Sequence, residues 1–444
     1  MVTVGGHAVV LGASMAGLLA AQALAGFYET VTIVERDALP DAPANSRGVP
    51  QGRQVHVLLP RGALAFDELL PGLLDELVGG GAPCLDGSDM TRLHYDLAGH
   101  RMVNSGSVES FCAYLATRPF LEHHVRRRTR ATSNVSVLDC HDVVEVISTT
   151  DRRRVIGART VDRRTHGEQE LTADLVVDAT GRGSRTQTWL DGLGYDRPAE
   201  DHVVMHLSYG TQLLRLPPDA LHEMVFVVGP VPGRPTGLAL QRCEHDTWVF
   251  ATFGMAGHEP ADDLAGMWKS AAAFAPAHLL AAIRAAEPIG QVARYRMPSS
   301  QWRRYDKLRR FPDGLLVIGD GICSVNPIYA QGMTVAALEA LALRDCLADG
   351  PDRLAQRFFK AAAKPIRQAW QLATGSDLAL PEIGGRQPLP MRLLNGYVDR
   401  VLTAAEHDTV ARDQFLRVTA LIDPTARLLR PEMLRRAATA NRRQ

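Results

Sequence analysis

His7-Ala8-Val9-Val10-Leu11-Gly12-Ala13-Ser14-Met15-Ala16-Gly17 opens a stretch that runs on to Val31-Thr32-Ile33-Val34-Glu35. The apolar run His7 to Leu11 reads as a buried parallel strand, and Gly12 breaks it. From Met15 the pattern turns helical, with Ala16, Gly17, Ala20 and Ala21 on the side that must lie close to a sheet. A second apolar run, Val31 to Val34, ends in an acid. Strand, glycine-bearing turn, helix, strand and acid make up the dinucleotide-binding βαβ unit. Gly12 permits the tight turn, Gly17 lets helix and strand pack closely, and the N–H groups at the helix start attract a pyrophosphate. Glu35, 23 residues beyond Gly12, is placed to accept hydrogen bonds from both ribose hydroxyls. The middle glycine of G-x-G-x-x-G is Ser14, small enough to alter the turn without removing the site.

Around this unit, 444 residues allow a large core and more than one domain or subdomain. Forty-nine basic and 49 acidic residues balance, so no global field favours nucleic acid. No run approaches the ~20 apolar residues of a membrane span, and no basic leader precedes the first strand, which predicts a cytoplasmic protein without a membrane span. The six cysteines are scattered without a C-x-x-C and are expected as reduced thiols. His202 and His206 would share one face of a strand without a third ligand, so no metal is expected.

Residues 37 to 62 form a loop rich in Pro and Gly, placed to border a site. A helix is predicted over 63–78. Paired strands are predicted near 90–104, a helix start near Arg118-Pro119, and strands near 134–148, 154–162 and 169–178. Leu175-Val176-Val177-Asp178-Ala179-Thr180-Gly181 reads as a buried strand entering a glycine turn. Residues 195–300 read as an antiparallel layer with one helix near 261–285. Leu315 to Asp320 reads as a strand ending in Gly-Asp, and a long helix begins near Gly332 with its N–H groups aimed at what precedes it. Residues 352–444 read as helical, with breaks at 375–390 and at Pro424. The division expected is a discontinuous nucleotide-binding domain (1–80, 105–195, 300–350), a substrate-binding β-sheet layer (81–104, 196–299) and a C-terminal helical region (351–444).

The three stretches, in this order and spacing, resemble the glutathione-reductase-type FAD-dependent monooxygenases over roughly residues 5 to 350. Arg47-Gly48-Val49-Pro50-Gln51-Gly52-Arg53, Asn326-Pro327-Ile328-Tyr329 and Ala369 to Thr374 are similar to actinobacterial flavin epoxidases of polyether biosynthesis. Gly332-Met333-Thr334-Val335-Ala336 is similar to squalene epoxidases. The resemblance implies an α/β fold: a Rossmann-like FAD domain, an inserted antiparallel substrate layer and a helical tail. It also implies that Gly12, Ser14, Gly17, Glu35, Arg36, Arg118, Gly181, Gly319, Asp320 and Gly332 bind FAD. Arg47, Pro50, Gln51, Pro327, Gly332 and Met333 would border the flavin edge. Three departures stand out. Thr180 replaces the Asp of the family's second motif, Gln54 stands where relatives often have His, and Ala330 replaces the first glycine of a G-x-G.

The implied activity is a flavin-dependent monooxygenase. It would insert one oxygen atom from O₂, through a C4a-hydroperoxyflavin, into a hydrophobic secondary metabolite by alkene epoxidation or aromatic hydroxylation. Electrons would come from NAD(P)H directly or through a separate flavin reductase, the latter favoured by Thr180. Epoxidation needs no protein base, and none is assigned. His94, His100, His206 and His245 fall in the presumed substrate layer without a sequence signal for one. An FAD-dependent reductase or dehydrogenase of a prenyl or polyketide substrate is the rival reading. A non-catalytic FAD-binding partner protein is another. Halogenases of this fold need an early lysine, but Lys269, Lys307, Lys360 and Lys364 all come late. A monomer or homodimer is expected.

Overall fold

The computed structural model describes residues 3–46, 48–385 and 387–440. β1 (Gly5–Leu11), helix α1 (Met15–Leu24) and β2 (Tyr28–Val34) form where the apolar runs place them. β1 pairs in parallel with β2 on one side and with Leu175–Asp178 on the other. Leu315–Val317 and Val135–Leu138 extend the sheet at its two edges, giving five parallel strands with β1 at the centre. Ala8 to Leu11 are wholly buried, as a central strand covered on both faces requires.

An eight-stranded sheet is drawn mainly from residues 200–324, with Leu93–Leu97 and His100–Arg101 at one edge. Its longest strands, Glu200–Arg215 and Glu287–Arg303, pair antiparallel with each other. All its pairs are antiparallel except Val225–Val228 with Leu93–Leu97. Helices Gly332–Ala348 and Leu354–Leu378 close the molecule against α1 and the parallel sheet. No helix among the described residues is long and apolar enough to cross a membrane.

Several expected elements divide differently. The helix over 63–78 is two, Pro60–Leu69 and Leu73–Gly79, because Pro71 and the left-handed Gly72 (φ +83°) interrupt it. The helix over 261–285 is also two, Leu264–Ala271 and Ala277–Arg284, with Pro276 at the second N-cap. In contrast, Leu354–Leu378 continues through Pro365 and Gly375. A β-bulge between Val204 and Leu207, with His206 at φ +44°, breaks the register that His202 and His206 would need to share a face. Cys84 and Cys112 are joined in a disulfide, their Cα atoms 6.5 Å apart, correcting the expectation of six free thiols. Antiparallel pairing of Cys84–Leu85 with Ala113–Leu115 brings them together.

Candidate active site

The β1–α1 turn has no room for side chains. A Cβ on Gly17 would fall 1.9 Å from the Gly12 carbonyl oxygen. One on Gly12, at φ +105°, would fall 2.7 Å from that of Ala179. Ser14 precedes α1 without capping it. Its hydroxyl instead accepts from Arg118 Nη2 (2.8 Å) and donates to Glu122 Oε2 (3.3 Å). Arg118 and Glu122 are themselves buried and paired at 2.9 Å. With no acid in its first turn, α1 keeps a positive N-terminal end beside the cavity.

That cavity, about 560 Å³, is lined by Gly12, Ala13, Ser14, Glu35, Arg36 and Trp189 among others. Glu35 Oε2 accepts from Ala13 N (2.8 Å) and Oε1 from Asp37 N (3.0 Å). Burial pushes this carboxyl up and those N–H groups oppose the shift. Trp189 is buried, and its indole N–H has no partner among the described residues.

A second cavity of about 380 Å³ shares Ser14, Gly48, Val49, Ala179, Thr180 and Gly183 with the first, so the two make one elongated cleft across the turn. Its floor carries Gly319 and Asp320. A Cβ on Gly319 (φ +68°) would lie 2.6 Å from the Ala16 side chain, which locks the Gly-Asp turn onto α1. The Gly319 N–H donates to Glu339 Oε2 (2.5 Å), and burial pushes this fully enclosed carboxyl up to about 8. Asp320 makes no hydrogen bond among the described residues. Burial raises it, and the Arg182 and Arg118 guanidiniums pull it down. Gly332 and Met333 at the start of the long helix, Pro327, and the strained Ala330 (φ +54°) form one wall. The loop residues Pro50, Gln51, Gln54 and His56 form another, and Tyr209, Tyr295 and Met297 of the eight-stranded sheet form the third.

Thr180 borders the cleft, but its hydroxyl and N–H both donate to Asp178 Oδ1, at 2.5 and 3.0 Å. Asp178 also accepts from Ser184 and Thr186, both at 2.6 Å, so this buried acid is spent on the turn.

Of the residues expected at a site, Gly12, Ser14, Glu35 and Arg36 line the first cavity. Pro50, Gln51, Arg118, Gly181, Gly319, Asp320, Pro327, Gly332 and Met333 line the second. Gly17 lies beneath the turn, and Arg47 falls outside the described residues. The four histidines of the second layer are elsewhere. His94 stacks on Phe226, His100 pairs with Glu406 and Asp399, and neither His206 nor His245 lines the cleft. His56, Trp189, Tyr295 and Met297 were missed, because no motif marks them and only the tertiary fold brings them to the cleft.

No protein-family model matches the chain. It is 40% identical over 429 residues to protein Rv3254 of Mycobacterium tuberculosis (strain ATCC 25618 / H37Rv), covering 94% of this chain and 90% of that one. It is 28% identical over 381 residues to kynurenine 3-monooxygenase of Salinispora tropica, covering 80% and 76%. Among solved structures, the flavin-dependent brominase Bmp2 superposes with a TM-score of 0.69 at 14% identity, over 99% of this chain and 100% of that one. PqsL of Pseudomonas aeruginosa, a probable FAD-dependent monooxygenase, superposes at 0.59 and 18% identity, over 93% and 99%. The fold is that of flavin-dependent monooxygenases and halogenases, and the chain belongs to the family of Mycobacterium tuberculosis protein Rv3254.

Proposed function

We propose that this protein binds FAD and is a flavin-dependent monooxygenase acting on a hydrophobic small molecule. The observation that carries the reading is the single cleft: a side-chain-free turn and a helix N-terminus at one end, a second helix N-terminus facing an aromatic wall at the other. The residues present fit the cofactor. The N–H groups of the Gly12–Met15 turn suit a pyrophosphate. Glu35 suits the adenosine ribose, and the unpaired Asp320 carboxylate suits the ribityl hydroxyls. The start of helix Gly332–Ala348, with no acid in its first turn, favours negative charge on the flavin ring. Bound FAD, once reduced, supplies the activation of O₂ and the delivery of one oxygen atom. The protein's part is to hold the substrate on the sheet side and keep water out.

Relatives act by related chemistry: kynurenine 3-monooxygenase in sequence, FAD-dependent monooxygenases and brominases in fold. No lysine lines either cavity among the described residues, which favours oxygen transfer to substrate over halogenation. Epoxidation and aromatic hydroxylation both remain within the proposal, the former on the resemblance of Gly332 to Ala336 to squalene epoxidases. Electron delivery by a separate reductase is proposed on the engagement of Thr180 with Asp178.

The test is turnover of the flavin-loaded protein in ¹⁸O₂, reduced by NADH, by NADPH or by a purified flavin reductase, with a trisubstituted terpenoid alkene and an aryl ketone as probes. One ¹⁸O atom in either product supports the proposal. Reoxidation that yields only hydrogen peroxide with both probes, or no bound flavin at all, overturns it.

A further inference from the structure

The sheet-side chamber contains a polar group that the cofactor reading does not use. Gln54 is 5% exposed and lines the cleft. The Thr211 hydroxyl, on strand Glu200–Arg215 and itself buried, donates to Gln54 Oε1 and so orients the amide. Among the described residues the Gln54 Nε2 group is left buried without a partner. A buried donor without an acceptor is costly, and an arriving acceptor recovers that cost.

The rings around it are neutral. His56 Nδ1 donates to the Gln54 carbonyl oxygen (2.9 Å). Burial, then the nearby Arg118, push this imidazole down to about 4, so it stays uncharged. Burial raises Tyr209 well above the usual phenol range, and raises Tyr295 with help from Asp320, so both remain protonated. Their rings lie 6.5 Å apart at 38°, beside Met297. Three charged side chains line this cavity, and Asp320 and Arg182 act on Tyr295 in opposite directions. Arg118 is tied to Ser14 and Glu122, Arg182 to the Ser299 carbonyl and the Ser324 hydroxyl, and Asp320 faces the proposed ribityl position.

We propose that the chamber takes an uncharged aryl ketone, its ring against Tyr209 and Tyr295 and its carbonyl oxygen accepting from Gln54 Nε2. Gln54 is then a specificity residue, and Thr211 positions it. This rests on the monooxygenase reading and narrows its substrate class. It also separates this chain from kynurenine 3-monooxygenase, whose amino-acid substrate carries a carboxylate and an ammonium. Among the described residues the guanidiniums lining the chamber are Arg118, paired with Glu122, and Arg182, held through Nη1 by the Ser299 carbonyl and the Ser324 hydroxyl.

The experiment uses the flavin-loaded protein and three probes that share one ring: 2′-aminoacetophenone, 2-ethylaniline, which lacks the carbonyl oxygen, and L-kynurenine, which adds the charged tail. Affinity is read by equilibrium dialysis and by perturbation of the flavin spectrum. The expected order is ketone at least tenfold tighter than ethylaniline, and kynurenine weaker than the ketone by at least as much. Gln54→Leu should bring ketone and ethylaniline within about threefold of each other, since the hydrogen bond that separates them is gone. Thr211→Val, which leaves the amide in place but unheld, should reduce the ratio by less. Equal binding of ketone and ethylaniline to the native protein, an unchanged ratio in Gln54→Leu, tighter binding of kynurenine, or no binding of the ketone overturns the assignment. Absence of the flavin spectrum marks failure of the cofactor reading instead, because that signal precedes any probe.

Discussion

The two ends of the cleft are built from different material. The nucleotide end is backbone: three glycines, Gly12, Gly17 and Gly319, at each of which a Cβ would fall within 3 Å of another atom, and the free N–H groups of α1. The sheet end is side chains: Gln54 and His56 from a loop, Tyr209 from one strand, Tyr295 and Met297 from another. A backbone site tolerates almost no change at its tight positions but fixes only the general shape of its ligand. A side-chain site can be rewritten residue by residue. This is why one fold serves brominases, monooxygenases and this chain at identities of 14–18%.

The sharpest way to break that division is to put a side chain at the nucleotide end. Gly17→Val drives a branched side chain into the Gly12 carbonyl, 1.9 Å from where its Cβ must sit. The expected result is protein without bound flavin, and largely unfolded. Tyr295→Phe at the sheet end should retain the flavin spectrum. If both variants lose flavin alike, the division is wrong. Flavin absorbance per protein and a thermal melt are sufficient to decide.

A smaller effect is expected at Glu35. Its carboxylate is already anchored by the Ala13 and Asp37 N–H groups, so it is preorganised for a ribose. Glu35→Ala should weaken FAD binding by about 10- to 100-fold, the range for losing hydrogen bonds to a charged group. Fluorescence titration of the apoprotein measures it. An unchanged affinity would remove Glu35 from the cofactor site.

The nucleotide end was legible in the sequence because its constraints are local. Gly12, Gly17 and Glu35 sit within one βαβ unit, and the Gly-Asp turn at 319–320 follows one strand. The sheet end was not legible. Tyr209 and Tyr295 are 86 positions apart and meet only because their strands pair in register at those residues. Strand alternation marks one face of a strand and says nothing of whether that face meets a cleft or a core. Trp248 and Phe250, aromatic and on the same sheet, are packed in core instead. The histidines misled for the same reason. His56 and His141, which do line the cleft, sit in a loop and at a strand start that carry no histidine motif.

Two buried carboxyls hold segments of the cleft wall, Glu339 the Gly319 turn and Asp377 the Asn326 and Tyr329 side chains, and pH tells the two apart. Asp377, on helix Leu354–Leu378, accepts from Tyr329 and Asn326 at 2.8 Å each, while its Oδ2 is buried without a partner among the described residues. Burial pushes it up to about 7, and Glu339 to about 8. A raised carboxyl binds its proton more tightly folded than unfolded. Stability is therefore greatest below the unfolded values of 3.8 and 4.5 and falls as pH rises to the folded ones. Asp377→Asn should flatten the decline between pH 4 and 7, by on the order of 1 kcal/mol per pH unit. Glu339→Gln should flatten it up to pH 8. Chemical denaturation across pH 4 to 9 reads both. A wild-type stability that rises through pH 5 to 7 in parallel with Asp377→Asn would show that Asp377 is ionised in the fold.

The smallest effect tests where the two ends meet. Ala330 holds φ +54°, a left-handed conformation that costs an alanine about 1 kcal/mol and a glycine almost nothing. It sits two residues before helix Gly332–Ala348, whose N-terminus faces the cleft, so the strain is stored in the cleft wall. Ala330→Gly removes that strain but loosens the unfolded chain, an opposing effect of about 0.5 kcal/mol. The net expectation is a gain of about 0.5 kcal/mol in stability with the flavin still bound. A loss in stability of more than about 1 kcal/mol would mean that the Ala330 methyl group is a packed contact of the cleft wall. The wall would then be built of side chains on this side too, and the boundary between the two materials would lie closer to α1 than the glycines place it.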